Sequence, residues 1–140
     1  MNVVVFACVH NAGRSQIAAA FFNALADTSR ARAVSAGTQP AGHVHPEVVS
    51  AMHEVGIDLS AARPRLLTAE LANPGDLLVT MGCGETCPFV PGAERAEWNI
   101  ADPKGQPIGR VRAIRDEIRQ RVQQLVEARG WTRQRSSGAS

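Results

Sequence analysis

The chain has 140 residues, of which 44% are hydrophobic and 20% are charged, and its formal net charge is +2. This length suits one folded domain with a buried core, and so weak a net charge does not point to nucleic acid. No apolar run approaches the ~20 residues that cross a bilayer, and the N-terminus lacks the features of a secretory signal. We therefore expect a cytoplasmic protein without a membrane partner, whose three cysteines do not form a disulfide framework.

The N-terminal half predicts two strands and two helices in alternation. The first strand is a continuous, valine-rich run, which indicates burial on both faces. The helices place apolar residues three or four positions apart. Pro46 suits the first turn of the second helix, and Gly56 suits its end. The predicted ranges are 2–7 and 31–35 for the strands, and about 15–26 and 46–55 for the helices.

The C-terminal half predicts a short helix, two strands and a long terminal helix. Arginines and acidic residues alternate on the long helix, which predicts a solvated face and not a nucleic-acid surface. Strands that alternate with helices predict a single α/β domain around a parallel sheet, over residues 1–130. The predicted ranges are 68–71 and about 109–129 for the helices, 76–81 and 94–100 for the strands, and 131–140 for a flexible tail.

The segment from Cys8 to Ser15 has the pattern Cys-x5-Arg-Ser between the first strand and the first helix. Five intervening residues can turn their N–H groups toward one centre, and the helix N-terminus adds partial positive charge. Arg14 can bind a tetrahedral oxyanion through two parallel hydrogen bonds, and the same field favours the thiolate of Cys8 as a nucleophile. The candidate oxyanion-binding residues are Val9, His10, Asn11, Ala12, Gly13, Arg14 and Ser15.

Cys8 and His10 each have a simpler interpretation as well. A lone cysteine at a strand end is usually a small buried side chain, but the spacing to Arg14 and the strand–loop–helix setting favour a nucleophile at Cys8. His10 either reaches the anion or points to solvent.

Attack on an oxyanion needs an acid that protonates the departing oxygen, and Asp102, followed by Pro103, is the candidate. Cys83 and Cys87 follow the third strand. They could resolve a covalent adduct on Cys8, bind a metal ion with it, or shape a turn. Because Cys-x3-Cys is not the usual zinc spacing, no metal site is predicted. Ligands of parallel sheets bind beyond the carboxyl ends of strands, where Cys8 and Cys83 are expected.

The chain resembles the low-molecular-weight tyrosine phosphatase superfamily. The motifs that carry this resemblance are Cys8-x5-Arg14-Ser15 and, later in the chain, Asp102-Pro103. Within it, the segments 35–37, 55–58, 79–81 and 87–88 are similar to arsenate reductases of that fold. Residues 8–16 and 80–88 resemble the actinobacterial mycothiol-linked branch in particular. The resemblance covers about residues 3–128 and implies a four-stranded parallel sheet with helices on both sides.

The resemblance implies an arsenate reductase in which Cys8 attacks arsenate, Arg14 holds the anion and Asp102 is the general acid. Asn11 and Ser15 would organise the loop and support the thiolate. No bound cofactor is expected, and the implied co-substrate is a small thiol, mycothiol, with mycoredoxin completing the reduction. The implied chain is a monomer or a weak dimer.

Three alternatives remain beside this interpretation. A thioredoxin-coupled reductase would use a relay through Cys8, Cys83 and Cys87. A low-molecular-weight protein phosphatase would need only Cys8, Arg14 and Asp102, but this chain has no tyrosine to hold an aryl ring. A non-enzymatic thiol sensor would use the three cysteines and would need neither Arg14 nor Asp102.

Overall fold

The computed structural model describes residues 2–68, 76–81 and 94–133. Within these ranges the elements follow the predicted order, in which strands and helices alternate until two successive strands precede the last helix. The described strands are β1 (Asn2–Cys8), β2 (Ala31–Gly37), β3 (Leu77–Thr80) and β4 (Glu94–Glu97). The described helices are α1 (Arg14–Leu25), α2 (Pro46–His53) and α3 (Ile108–Ala128).

The strands form one parallel sheet in the order β2-β1-β3-β4. β1 lies inside the sheet, which agrees with its continuous apolar run. Cys8 pairs with Gly37 of β2, and Ala7 pairs with Thr80 of β3. Because β2 and β3 lie on opposite sides of β1, the order of strands switches there, and a crevice forms beyond the carboxyl end of β1. The fold therefore places Cys8 at the sheet edge where ligands of such folds bind.

The core has an apolar cluster on each face of the sheet. The described helices all contribute buried side chains to the larger cluster, which also holds Val4 and Phe6 of β1. Val5 and Ala7 face the other way and join a smaller cluster with Leu67. The predicted α/β fold, a four-stranded parallel sheet flanked by helices, is confirmed. The short helix predicted over 68–71 falls mostly outside the described residues.

The packed domain continues past the end of α3, where the sequence predicted a tail from residue 131. Trp131 is only 9% exposed, and its ring packs against Phe22 with centroids 5.9 Å apart. The N–H of Asp27 donates to the carbonyl of Trp131 at 2.7 Å, and the N–H of Arg133 donates to Leu25 at 3.0 Å. Burial of an indole and two backbone hydrogen bonds hold this segment against the end of α1.

Helix α3 is not solvated along its whole charged face. Arg115 is 8% exposed, and its Nη1 donates to the carbonyl of Ala51 at 2.9 Å and to Glu54 at 3.0 Å. Arg112 donates to the same carboxylate at 2.6 Å. These bonds tie α3 to the end of α2. In the described ranges, no helix is both long enough and apolar enough to cross a membrane.

The ion pairs of Glu54 predict a loss of stability in acid. The pKa of Glu54 is lowered from 4.5 to about 2. The largest cause is the hydrogen bonding from Arg112, followed by the charge of Arg112 and by the hydrogen bond and charge of Arg115. The folded state therefore binds fewer protons than the unfolded state. The contribution is complete above about pH 4.5 and is lost as the pH falls toward about 2. We expect Glu54→Gln to flatten the decline in urea midpoint over this window.

The matched control is Glu117→Gln, because Glu117 makes an exposed ion pair with Arg121 within α3 and does not connect two helices. Its acid profile should follow that of the wild type. Parallel acid profiles for Glu54→Gln and the wild type would contradict the prediction.

Candidate active site

Residues 9–15, here called the anion loop, comprise the connection between β1 and α1 and the first two residues of α1. The loop and the end of β1 are held from outside through four carbonyl groups. The connection between β2 and α2 supplies the donors, which are backbone N–H groups. The pairs, from donor to acceptor, are Thr38 to Cys8 (3.2 Å), Gln39 to Val9 (2.7 Å), Ala41 to His10 (3.0 Å) and His45 to Ala12 (3.0 Å). These carbonyl groups therefore point toward the connection between β2 and α2, and the N–H groups of the loop do not bond to that connection, which the structure describes in full.

The N–H groups of the anion loop are available to a ligand. Within residues 2–68, 76–81 and 94–133, no protein acceptor pairs with a backbone N–H of residues 9–15. Asn11 has a φ of 51°, in the left-handed region, and such a reversal turns successive N–H groups toward a common point. The backbone therefore leaves a run of N–H groups without protein partners on this loop, which is what an anion nest requires.

Gly37 allows the close approach of β2 to this loop. A Cβ at Gly37 would lie 2.5 Å from the carbonyl oxygen of Val9 and 2.9 Å from the backbone nitrogen of Asn11. Both contacts are with backbone atoms, which cannot move aside as a flexible side chain could.

The side chain of Asn11 fixes its unusual backbone conformation. Asn11 is fully buried, and its Oδ1 accepts hydrogen bonds from the backbone N–H of Arg65 at 2.9 Å and from Gln16 Nε2 at 3.2 Å. Its Nδ2 donates to Ser15 Oγ at 2.7 Å. Asparagine tolerates positive φ better than most residues. The sequence indicated Asn11 and Ser15 as loop organisers, whereas it missed Gln16 and the backbone of Arg65.

Cys8 has a polar partner although its side chain is only 3% exposed. Its Sγ lies 2.9 Å from Ser15 Oγ. Because Ser15 already accepts a hydrogen bond from Asn11, its hydroxyl proton is free to point at the sulfur. Ser15 can therefore donate its hydroxyl proton to Sγ of Cys8.

Arg14 and Asp102 meet at the edge of the anion loop. Arg14 is 13% exposed, and its Nη1 donates to the carbonyl of Ile100 at 3.0 Å. Its Nη2 lies 3.8 Å from Asp102 Oδ2, and that side chain is 46% exposed. The backbone N–H of Lys104 donates to Asp102 Oδ1 at 3.0 Å. The structure thus pairs Arg14 with Asp102, two of the residues that the sequence singled out.

Pro103 and His45 pack on the anion loop from two different connections. A Cβ on Gly13 would lie 2.9 Å from Pro103 Cγ and 3.6 Å from His45 Cδ2. The sequence missed His45, and its place directly before Pro46 was the available signal for a residue at a helix start. His10 Nδ1 lies 3.1 Å from the carbonyl oxygen of Gln39, in the connection between β2 and α2.

A cavity of about 350 Å³ opens beside Arg14, lined also by the segment 97–100 that follows β4. Across the described ranges, no three His, Cys, Asp or Glu side chains lie close enough to share a metal ion. Cys83 and Cys87, the predicted resolving thiols, lie outside the described residues.

Comparisons with known proteins agree with this fold. The family model of the low molecular weight phosphotyrosine protein phosphatases matches residues 3–135. A Halobacterium salinarum protein, provisionally named as an arsenate reductase, is 40% identical over 130 residues, which cover 87% of this chain and 89% of the relative. A glutaredoxin arsenate reductase of Synechocystis sp. is 31% identical over 129 residues, with 90% and 97% covered.

Among solved structures, a thioredoxin-dependent arsenate reductase of Corynebacterium glutamicum superimposes with a TM-score of 0.80 at 38% identity. The superposition covers 91% of this chain but only 61% of the Corynebacterium protein.

Proposed function

Because the chain belongs to the low molecular weight phosphotyrosine protein phosphatase family, we propose that it is an arsenate reductase. The observation that carries the proposal is the nest of N–H groups in the anion loop, which have no protein acceptor in the described ranges and follow the buried Cys8 directly in the chain. Such a nest fits a tetrahedral oxyanion. The names of the similar reductases favour arsenate as that oxyanion.

In the first step, the thiolate of Cys8 attacks the arsenic atom of arsenate. A sulfur–arsenic bond forms, an arsenic–oxygen bond breaks, and the departing oxygen takes a proton from Asp102 and leaves as water. The guanidinium of Arg14 and the N–H groups of the anion loop hold the remaining oxygens, where negative charge develops. The fixed hydrogen bonds of Asn11 keep these donors in place before the ligand arrives.

In the second step, the thiol of mycothiol displaces Cys8 from arsenic. A thiol of mycoredoxin then attacks the mycothiol sulfur, two electrons pass to arsenic, and arsenite departs. The alternative step is an attack by Cys83 on the sulfur of Cys8, with Cys87 completing a disulfide for thioredoxin. The names of the similar proteins include both thioredoxin and glutaredoxin, so they do not select one reductant. Our choice of mycothiol rests on the likeness of residues 8–16 and 80–88 to the mycothiol-linked branch.

Arsenite formation under two reducing systems tests the proposal. Purified protein is supplied with mycothiol and mycoredoxin, or with thioredoxin and its reductase. We expect arsenite with the mycothiol system, and we expect Cys83→Ser and Cys87→Ser to retain that activity. Activity that needs thioredoxin and is lost in both variants would instead establish the three-cysteine relay.

A protein phosphatase is the second candidate, because the matching family carries that name and the first step uses the same residues. The absence of tyrosine and the position of Lys104 after Asp102-Pro103 favour a small oxyanion over an aryl phosphate. Hydrolysis of p-nitrophenyl phosphate is the discriminating measurement. Rapid hydrolysis, with arsenate acting only as an inhibitor, would replace the reductase by the phosphatase.

A further inference from the structure

We propose that His45 is the general base that removes the proton from the thiol attacking the arsenic adduct on Cys8. This inference rests on the proposed function, since it concerns the second step of that reaction. It assigns a chemical role to a residue outside the Cys-x5-Arg-Ser pattern and the Asp-Pro pair.

The backbone fixes His45 against the anion loop. Its N–H donates to the carbonyl of Ala12 at 3.0 Å. Its ring Cδ2 lies 3.6 Å from the position that a Cβ on Gly13 would occupy, and Pro103 Cγ lies 2.9 Å from the same position. The imidazole therefore packs on Gly13 of the anion loop, beside Pro103, and the charge of Asp102 acts on it.

The ring of His45 is in a state that can accept a proton. Partial burial lowers its pKa below the usual 6.5, and charge interactions with Lys104 and with His10 act in the same direction. The carboxylates of Glu47 and Asp102 oppose this effect without reversing it. The imidazole is thus neutral near pH 7. No hydrogen bond of a His45 ring nitrogen is present among the described residues, and a neutral imidazole keeps one nitrogen lone pair for a proton.

The second step needs such a base. An ordinary thiol has a pKa of about 8.5, so only a few per cent is thiolate at pH 7. When the S–H bond breaks, the proton moves to a ring nitrogen of His45, and the sulfur electron pair forms a bond to arsenic. The arsenic–sulfur bond to Cys8 breaks and its electron pair returns to Cys8. This exchange moves no electrons to arsenic, and the reduction follows at mycoredoxin.

Asp102 is less suited to this task. Its carboxylate pairs with Arg14 at 3.8 Å, and a carboxylate is a weaker base than a neutral imidazole. The two residues thus divide the proton transfers, with Asp102 giving a proton to the departing oxygen and His45 taking one from the incoming sulfur.

The test separates the two steps in His45→Asn, with His43→Asn as the matched control on the same connection. Protection of Cys8 from alkylation by arsenate alone reports the first step, and its reversal on adding mycothiol reports the second. We expect an unchanged first step and a second step slower by on the order of 10²-fold at pH 7. The deficit should shrink as rising pH ionises the thiol without help. The control should match the wild type in both steps.

Equal losses in both steps, or a second-step loss that does not vary with pH, would show that His45 only supports the loop and would overturn the inference. An unimpaired second step would do so as well. The wild type provides a test that requires no substitution, because its second-step rate should rise with the ionisation of a group below pH 6.5, ahead of the thiol. Wild-type protein that forms no arsenite at all would overturn the proposed function itself, whereas normal arsenite formation by His45→Asn would leave that function standing.

Discussion

The variant Cys8→Ser should form no measurable arsenite, with turnover reduced by on the order of 10⁴-fold or more. A serine hydroxyl is a much weaker nucleophile than a cysteine sulfur, and no other described cysteine can replace Cys8. The measurement is arsenite released per protein at saturating arsenate and thiol. The nest is made of backbone groups, so the variant should still bind arsenate in a calorimetric titration.

Binding of arsenate by Cys8→Ser is also the control for folding, together with an unchanged urea midpoint. If the folded variant retained substantial arsenite formation, the nucleophile would lie elsewhere in the chain, and the assignment of the first step to Cys8 would be wrong.

The variant Arg14→Lys should lose on the order of 10²–10³-fold in turnover. Lysine keeps the positive charge but has no planar fork, so it cannot bind two oxyanion oxygens in parallel and also donate to Ile100. Steady-state arsenite formation measures the effect. Arg110→Lys is the control, because that arginine is exposed at the start of α3.

A loss confined to KM in Arg14→Lys would mean that Arg14 holds arsenate equally well before and during the reaction. Such a result would contradict its role in stabilising the developing charge. A fully active Arg14→Lys would mean that a point charge suffices at this position.

The first strand, the anion loop and the first helix could be predicted because their signals are local. A buried strand, a Cys-x5-Arg spacing and a helical pattern follow one another directly in the chain. The position of Asp102 was less certain, since Asp-Pro occurs in many turns. What settles its position is a contact distant in sequence, the packing of Pro103 on Gly13.

The features that the sequence did not reveal depend on such distant contacts. Arg115 looks like one more surface arginine, and its burial depends on the end of α2, where Ala51 and Glu54 accept its hydrogen bonds. Trp131 lies in a polar segment, and only the neighbouring ring of Phe22 gives it a buried position. His45 likewise owes its position to the loop beside it.

The hydrogen bonds that hold the carbonyl groups of the anion loop limit how the protein can distinguish one oxyanion from another. Phosphate has the same tetrahedral shape as arsenate and a comparable charge. Because hydrogen bonds fix the nest before a ligand arrives, it has little freedom to change shape around one of the two anions. Cellular phosphate should therefore compete with arsenate for binding to the nest. Discrimination must come afterwards, from the readiness of arsenic, unlike phosphorus, to accept electrons from sulfur.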